Sequence, residues 1–109
     1  MIKGTITSQG TFADGRDICE IYISRSDSKM LPHEKGKKTS ITLKIGNATY
    51  EGGVHETEDG TVWISSVLKK SSSIPTRLVD ALRVNDMKKG DKVLLTNIKD
   101  HVYILSLQE

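Results

Sequence analysis

The residues of this 109-residue chain that could carry chemistry are few: His33, His55 and His101, a single cysteine, Cys19, the acids Glu56, Glu58 and Asp59, and a triple serine at 71–73. Their spacing builds no catalytic or metal centre. The histidines lie in three separate turn or strand-end regions, without the i, i+4 or short-loop spacing of metal ligands, and read as exposed and non-ligating. The acids do not match the ligand spacing of a calcium loop, and a solvated turn explains them. No His or Lys is arranged beside the serines, which read as linker and helix cap rather than nucleophile. With one cysteine there is no internal disulfide and no CxxC pair, and the alternation of Cys19 with Ile21 and Ile23 predicts a buried thiol. The patterns GxSxG, HExxH, GxxxxGK and GxGxxG are absent, and Gly52-Gly53 lies inside a strand pattern. The expectation is a chain that is not an enzyme and needs no metal or cofactor: a binding module.

Groups that recognise a partner are better represented. Net charge is only +2, but residues 21–45 carry six Lys/Arg against two acids and residues 63–99 eight against three, while 46–62 carry four acids and no base. Two basic stretches flanking an acidic one can form a phosphate-binding surface, although Lys and Arg are also the default residues of a solvated face. Five aromatic residues are present, Phe12, Tyr22, Tyr50, Trp63 and Tyr103. Only Tyr22 and Trp63 fall opposite an inward-pointing apolar set, which is few for a stacking platform, so single-stranded nucleic acid ranks as an alternative ligand.

The elements that must position these groups are mostly strands. The length suits one domain spanning 1–109, and 36% hydrophobic with 28% charged residues suits a packed fold. Alternation bounded by turn residues marks seven strands: 2–7, 19–24, 41–45, 48–54, 61–67, 92–96 and 102–107. Gly46-Asn47 and Asp59-Gly60 are turn signals between strand pairs, because these residues tolerate positive φ. Helical signal is confined to 75–82, with Leu78 and Leu82 four apart and Pro75 suited to a first turn, and to a short turn at 26–31 stopped by Pro32. Tyr22-Ile23-Ser24 and Trp63-Ile64-Ser65 each precede a helix and a hairpin, a faint echo of two matching halves. The fold class expected is mainly β: a seven-stranded open pseudobarrel, mostly antiparallel, with two short helices. No stretch is long and apolar enough to span a bilayer and the N-terminus lacks a signal-peptide core, so a cytoplasmic protein without membrane contact is expected.

Three segments, Val62-Trp63-Ile64-Ser65, Thr76-Arg77-Leu78-Val79-Asp80-Ala81-Leu82 and Met87-Lys88-Lys89-Gly90-Asp91-Lys92-Val93, resemble the DNA-binding pseudobarrel domains. These include the plant B-three transcription-factor type and the effector domains of restriction endonucleases of the EcoRII and BfiI kind. The helix followed by Gly-Asp-Lys-Val is also similar to AbrB-type swapped-hairpin regulators, whose Ile-Pro and following Leu have counterparts in Ile74-Pro75 and Leu82. Those domains are about half this length, which ranks them second.

The resemblance implies a sequence-specific duplex DNA-binding module, the recognition part of a restriction or regulatory system, with any nuclease chemistry supplied by another domain or chain. Two arms would grip a major groove about 12 Å wide. The first is the loop 8–17, with Ser8, Gln9, Thr11 and Arg16; the second is 55–61, with His55, Thr57 and Thr61, and Trp63 at its base. Arg16 suits the paired acceptors of guanine and Gln9 those of adenine. Arg25, Lys35, Lys37, Lys38, Lys69, Lys70 and Arg77 would contact phosphates. The second arm is acidic where a groove-facing arm is usually neutral or basic. The rival expectation is a protein-interaction barrel that presents this acidic arm or a strand edge to a partner.

Overall fold

The computed structural model describes residues 1–70 and 75–108. In chain order its elements are β1 (Ile2–Thr11), β2 (Asp17–Ile23), a 3-10 turn (Ser28–Met30), β3 (Thr39–Ile45), β4 (Ala48–Glu56), β5 (Val62–Ile64), β6 (Val67–Lys70), β7 (Pro75–Arg77), α1 (Leu78–Val84), β8 (Lys92–Lys99) and β9 (Val102–Leu107). The strands form where apolar residues alternate. Ile21 and Ile23, Ile41, Leu43 and Ile45, Val62 and Ile64, Val93 and Leu95 all point inward and are buried, while the residues between them face out. One core cluster joins these side chains with Leu31, Leu68, Leu78 and Leu82.

The fold is mainly β, as expected, but the barrel is closed. Seven strands run round it in the order β3-β9-β8-β1-β2-β5-β4, and β4 pairs back to β3. Closure depends on β9, which pairs antiparallel to β8 and parallel to β3, from Thr42 opposite Val102 to Ile45 opposite Leu105. A closed ring leaves no unpaired ladder edge, which an open pseudobarrel would have. Nine strands are described rather than seven. The stretch expected as one strand over 61–67 breaks at Ser65-Ser66, and β6 and β7 extend as a hairpin on the β4 edge beyond β5.

The two expected helices become one helix and one 3-10 turn. Pro75 starts β7 rather than a helical turn; a residue without an amide hydrogen is tolerated on so short an outermost strand. The expected serine cap at 71–73 and Ile74 of the AbrB-like pattern lie outside the described residues. Helix α1 instead begins after Arg77, held in extended geometry, and the Leu78 amide donates to the Ser66 carbonyl at 2.7 Å. Leu78, Ala81 and Leu82 are its buried face.

Strand directions assign the described connections of the ring strands to one of two barrel ends. At the first end lie the β1–β2 tip (12–16), the β3–β4 turn and α1. Gly46, at φ 60, makes that turn, and a side chain there would collide with Asn85, which follows α1. At the second end lie the β4–β5 tip (57–61), the β8–β9 turn and the loop 24–38, from which Leu31 enters the core. No helix among the described residues is long and apolar enough to cross a membrane.

Candidate nucleic-acid interface

The echo between 22–24 and 63–65 has a structural counterpart. Tyr22 pairs directly with Trp63, and Ile21 with Ile64, in antiparallel register. Strand order is symmetric about a two-fold axis at this pair, which exchanges β2 with β5, β1 with β4 and β8 with β3; of the seven ring strands, β9 has no mate. The same axis reverses strand direction, so the β1–β2 and β4–β5 tips project from opposite ends of the barrel. The two segments expected as arms on one groove thus lie at opposite ends of the barrel rather than side by side.

At the first tip the charges cancel one another. Arg16 Nη1 lies 2.6 Å from Asp80 Oδ1, and Arg77 Nη1 lies 2.6 Å from Asp14 Oδ2. The Arg77 guanidinium also covers the Phe12 ring, 4.0 Å from its centroid. The Arg16 amide and then the Arg77 side chain hold the Asp14 carboxyl below its ordinary pKa. Arg16, expected to read a base, and Arg77, expected to hold a phosphate, thus tie the tip to β7 and α1. Ser8 and Thr11 belong to β1, and the Ser8 hydroxyl donates to Asp17 Oδ1 at 3.1 Å.

Another set of bonds staples the acidic tip. Lys35 Nζ donates to the Glu58 carbonyl at 3.1 Å and Arg25 Nη2 to the Asp59 carbonyl at 3.3 Å. Thr57 donates its hydroxyl to Asp59, and with the Thr61 amide this pulls the Asp59 carboxyl down to a pKa of about 2. His33 Nε2 lies 3.6 Å from Glu56, and Lys37 lies 3.4 Å from Glu34. Arg25, Lys35 and Lys37 are occupied locally. Lys69 and Lys70 lie apart from both tips, on β6.

What the barrel does bring together is an outward row across its strands. Tyr22 of β2, Trp63 of β5 and His55 of β4 are register partners pointing away from the core. His55 stacks on Trp63 with ring centroids 4.3 Å apart and planes 15° from parallel. Tyr22 is 36% exposed, and Gln9 Nε2 donates to its hydroxyl at 3.4 Å. Beyond Tyr22, Thr5 pairs with Lys92, whose Nζ donates to Thr5 Oγ1 at 3.1 Å. At the other flank, Lys38 lies along Gly53, where a Cβ would sit 2.5 Å from Lys38 Cδ. Burial against its neighbours, and then the Lys38 ammonium, lower the His55 pKa, which favours the neutral ring.

The row thus reads Lys92, Thr5, Tyr22, Trp63, His55, Lys38: three rings between two cations, with no carboxylate among them. Glu20 and Glu51 are the nearest outward acids on β2 and β4. Burial raises the Glu20 pKa. Of the residues expected to touch DNA, His55, Trp63 and Lys38 belong to this row, and Gln9 adjoins it through the Tyr22 hydroxyl. Lys92 was missed, and Tyr22 entered only as a candidate for single-strand stacking, because cross-strand register is what places Tyr22 beside Trp63 and Lys92 two strands beyond Tyr22. Among the described residues no three His, Cys, Asp or Glu side chains converge as a metal site, and Cys19 is buried with its pKa raised by burial. No protein-family model, no curated protein and no solved structure matches this chain.

Proposed function

We propose that this chain is a non-catalytic nucleic-acid-binding barrel whose ligand is a single strand laid across the outward row from Lys38 to Lys92. The observation that carries this reading is the stacked His55–Trp63 pair continuing to Tyr22 between two lysines. Bases offer a π-face to such rings whatever their identity, at about 1–3 kcal/mol per stacked base, and flanking ammonium groups suit the phosphates. The pseudobarrel likeness supports a nucleic-acid role, and the opposed tips favour the barrel face over a two-armed grip.

A second reading, the duplex DNA-recognition module of a restriction or regulatory system, is favoured by one feature. The 57–61 tip is a stapled hairpin with Arg25 and Lys35 at its flanks, and a single arm of this kind can enter a major groove without the other.

Fluorescence anisotropy of a labelled oligothymidylate and of a random-sequence duplex, each titrated at low salt and again at rising salt, separates the two. The single strand is expected to bind more tightly, with affinity falling as salt rises. Tighter duplex binding that depends on Arg25 and Lys35 would favour the second reading. No salt-dependent binding of either at roughly tens of micromolar, within the usual range for non-specific nucleic-acid contacts, would sink both.

A further inference from the structure

Next to the row, the outward surface of β3, β4 and β6 is hollowed into two adjoining depressions. The smaller, about 150 Å³, reaches from Lys38 and Gly53 to Ser65 and Lys69. The larger, about 390 Å³, is lined by Thr42, Thr49, Tyr50, Lys69, Lys70 and His101 among others. Ser40, Glu51 and Lys69 border both, so the hollow runs continuously from the Lys38 flank of the row to His101.

The larger depression is chemically selective. It brings Lys69, His101 and the hydroxyl residues Ser40, Thr42 and Thr49 around one carboxylate, Glu51, which already accepts a hydrogen bond from Ser40 Oγ at 3.2 Å, with Lys70 at its border beside Tyr50. Lys69 and Lys70 have no ion pair among the described residues, and Lys70 rests over the Tyr50 ring, 5.9 Å from its centroid. The wall carrying His101 is held in place. His101 adopts a left-handed φ of 58, and its carbonyl accepts from the Thr42 amide at 2.8 Å. Asp100, 3.8 Å from His101 Nε2, is 99% exposed and screened by water.

We propose that this depression receives a terminal phosphate monoester of the strand, an inference that rests on the nucleic-acid reading of the row. An internal phosphodiester carries one charge, whereas a terminal phosphate carries about 1.5 to 2 at neutral pH with three strong acceptor oxygens. The second charge matches Lys69 together with Lys70 at the border, and the imidazole and hydroxyls match the extra acceptors. The row thus orders the bases, and the hollow at its Lys38 flank selects the end of the chain.

The test uses the full chain and three oligothymidylates, 5′-phosphorylated, 3′-phosphorylated and unphosphorylated. One phosphorylated end is expected to bind about ten-fold more tightly than the unphosphorylated strand, the gain of charge-assisted hydrogen bonds to a partly enclosed phosphate. The double variant Lys69→Gln, Lys70→Gln, checked for an unchanged melting temperature, is expected to erase that difference while keeping the affinity for the unphosphorylated strand. Equal affinity for all three strands overturns the inference and leaves the row's function standing. A failure of every strand to bind is resolved by thymidine 5′-monophosphate against thymidine, read by amide NMR shifts at Thr42, Thr49 and Tyr50. Shifts with the monophosphate alone keep a phosphate site and remove the strand reading, and shifts with neither remove both.

Discussion

The first tip and the outward row contain the same kinds of residue, an aromatic ring and basic side chains, and put them to opposite uses. At the tip, Arg16 and Arg77 each have a carboxylate at 2.6 Å, and Phe12 is covered by Arg77. On the row, Lys38 and Lys92 have no ion pair among the described residues, and the rings of Tyr22, Trp63 and His55 present their surface outward. A cation that is neutralised within the fold has little left for a phosphate, whereas one beside a bare ring can act on a ligand. The presence of an arginine in a projecting loop is thus a weaker guide to binding than the partner it already has.

The largest expected effect concerns the anchor of the tip. Leu82, fully buried on α1, supports the helix that Arg16 grips. Leu82→Ala is expected to cost about 2–5 kcal/mol of stability by urea unfolding, the usual range for a Leu deletion in a packed core. Next comes Trp63→Ala, which should weaken single-strand binding by about 1–3 kcal/mol, roughly five- to 150-fold. Arg16→Gln should leave that affinity within about two-fold, since a surface change away from the contact seldom exceeds 0.5 kcal/mol. Equal losses from the two variants would erase the distinction drawn between tip and row.

Smaller effects sharpen it. Lys38→Gln and Lys92→Gln should each reduce the slope of log affinity against log salt by about 0.7, the value for one single-strand phosphate contact. Gly53→Ala, which pushes Lys38 off its place beside His55, should mimic part of the Lys38 change. Asp80→Asn releases Arg16 and should lower stability by no more than about 1 kcal/mol, because the pair is partly exposed.

The smallest effects are in pH. His55 has a pKa below its ordinary 6.5 in the folded chain, so the unfolded chain takes up its proton first. Its contribution to stability is complete above pH 6.5 and is lost as pH falls through the folded value. His55→Gln should flatten that part of the stability profile. Asp59, held at about 2 against an ordinary 3.8, behaves as the usual carboxylate: its contribution is present above 3.8 and disappears as pH falls through about 2. An NMR titration of its carboxyl should show that midpoint, and Thr57→Ala should move it upward.

Much of the barrel is legible in the sequence because a period of two is a local property. Ile21 and Ile23 against Tyr22, or Val62 and Ile64 against Trp63, declare strand and face without any knowledge of neighbours. Closure is not local. It depends on β9 lying beside β3, about sixty residues earlier, and no spacing within 102–107 announces a parallel partner. The start of α1 was misplaced for a related reason: Pro75 suits both a helical first turn and an outermost strand, and pairing with β6 decides between them. The site divides in the same way. Trp63 and His55 were in view as arm residues, but their stacking, the place of Tyr22 beside Trp63, and that of Lys92 two strands beyond Tyr22 follow only from register. The ion pairs that occupy Arg16 and Arg77 join residues more than sixty apart and leave no mark on the local pattern.

Trp63 is the chain's single tryptophan, so its emission reports on the row alone. Titration with an oligothymidylate should quench it saturably, with the same midpoint as anisotropy of the labelled strand. Binding seen by anisotropy with Trp63 emission unchanged would place the ligand elsewhere on the barrel and contradict the account.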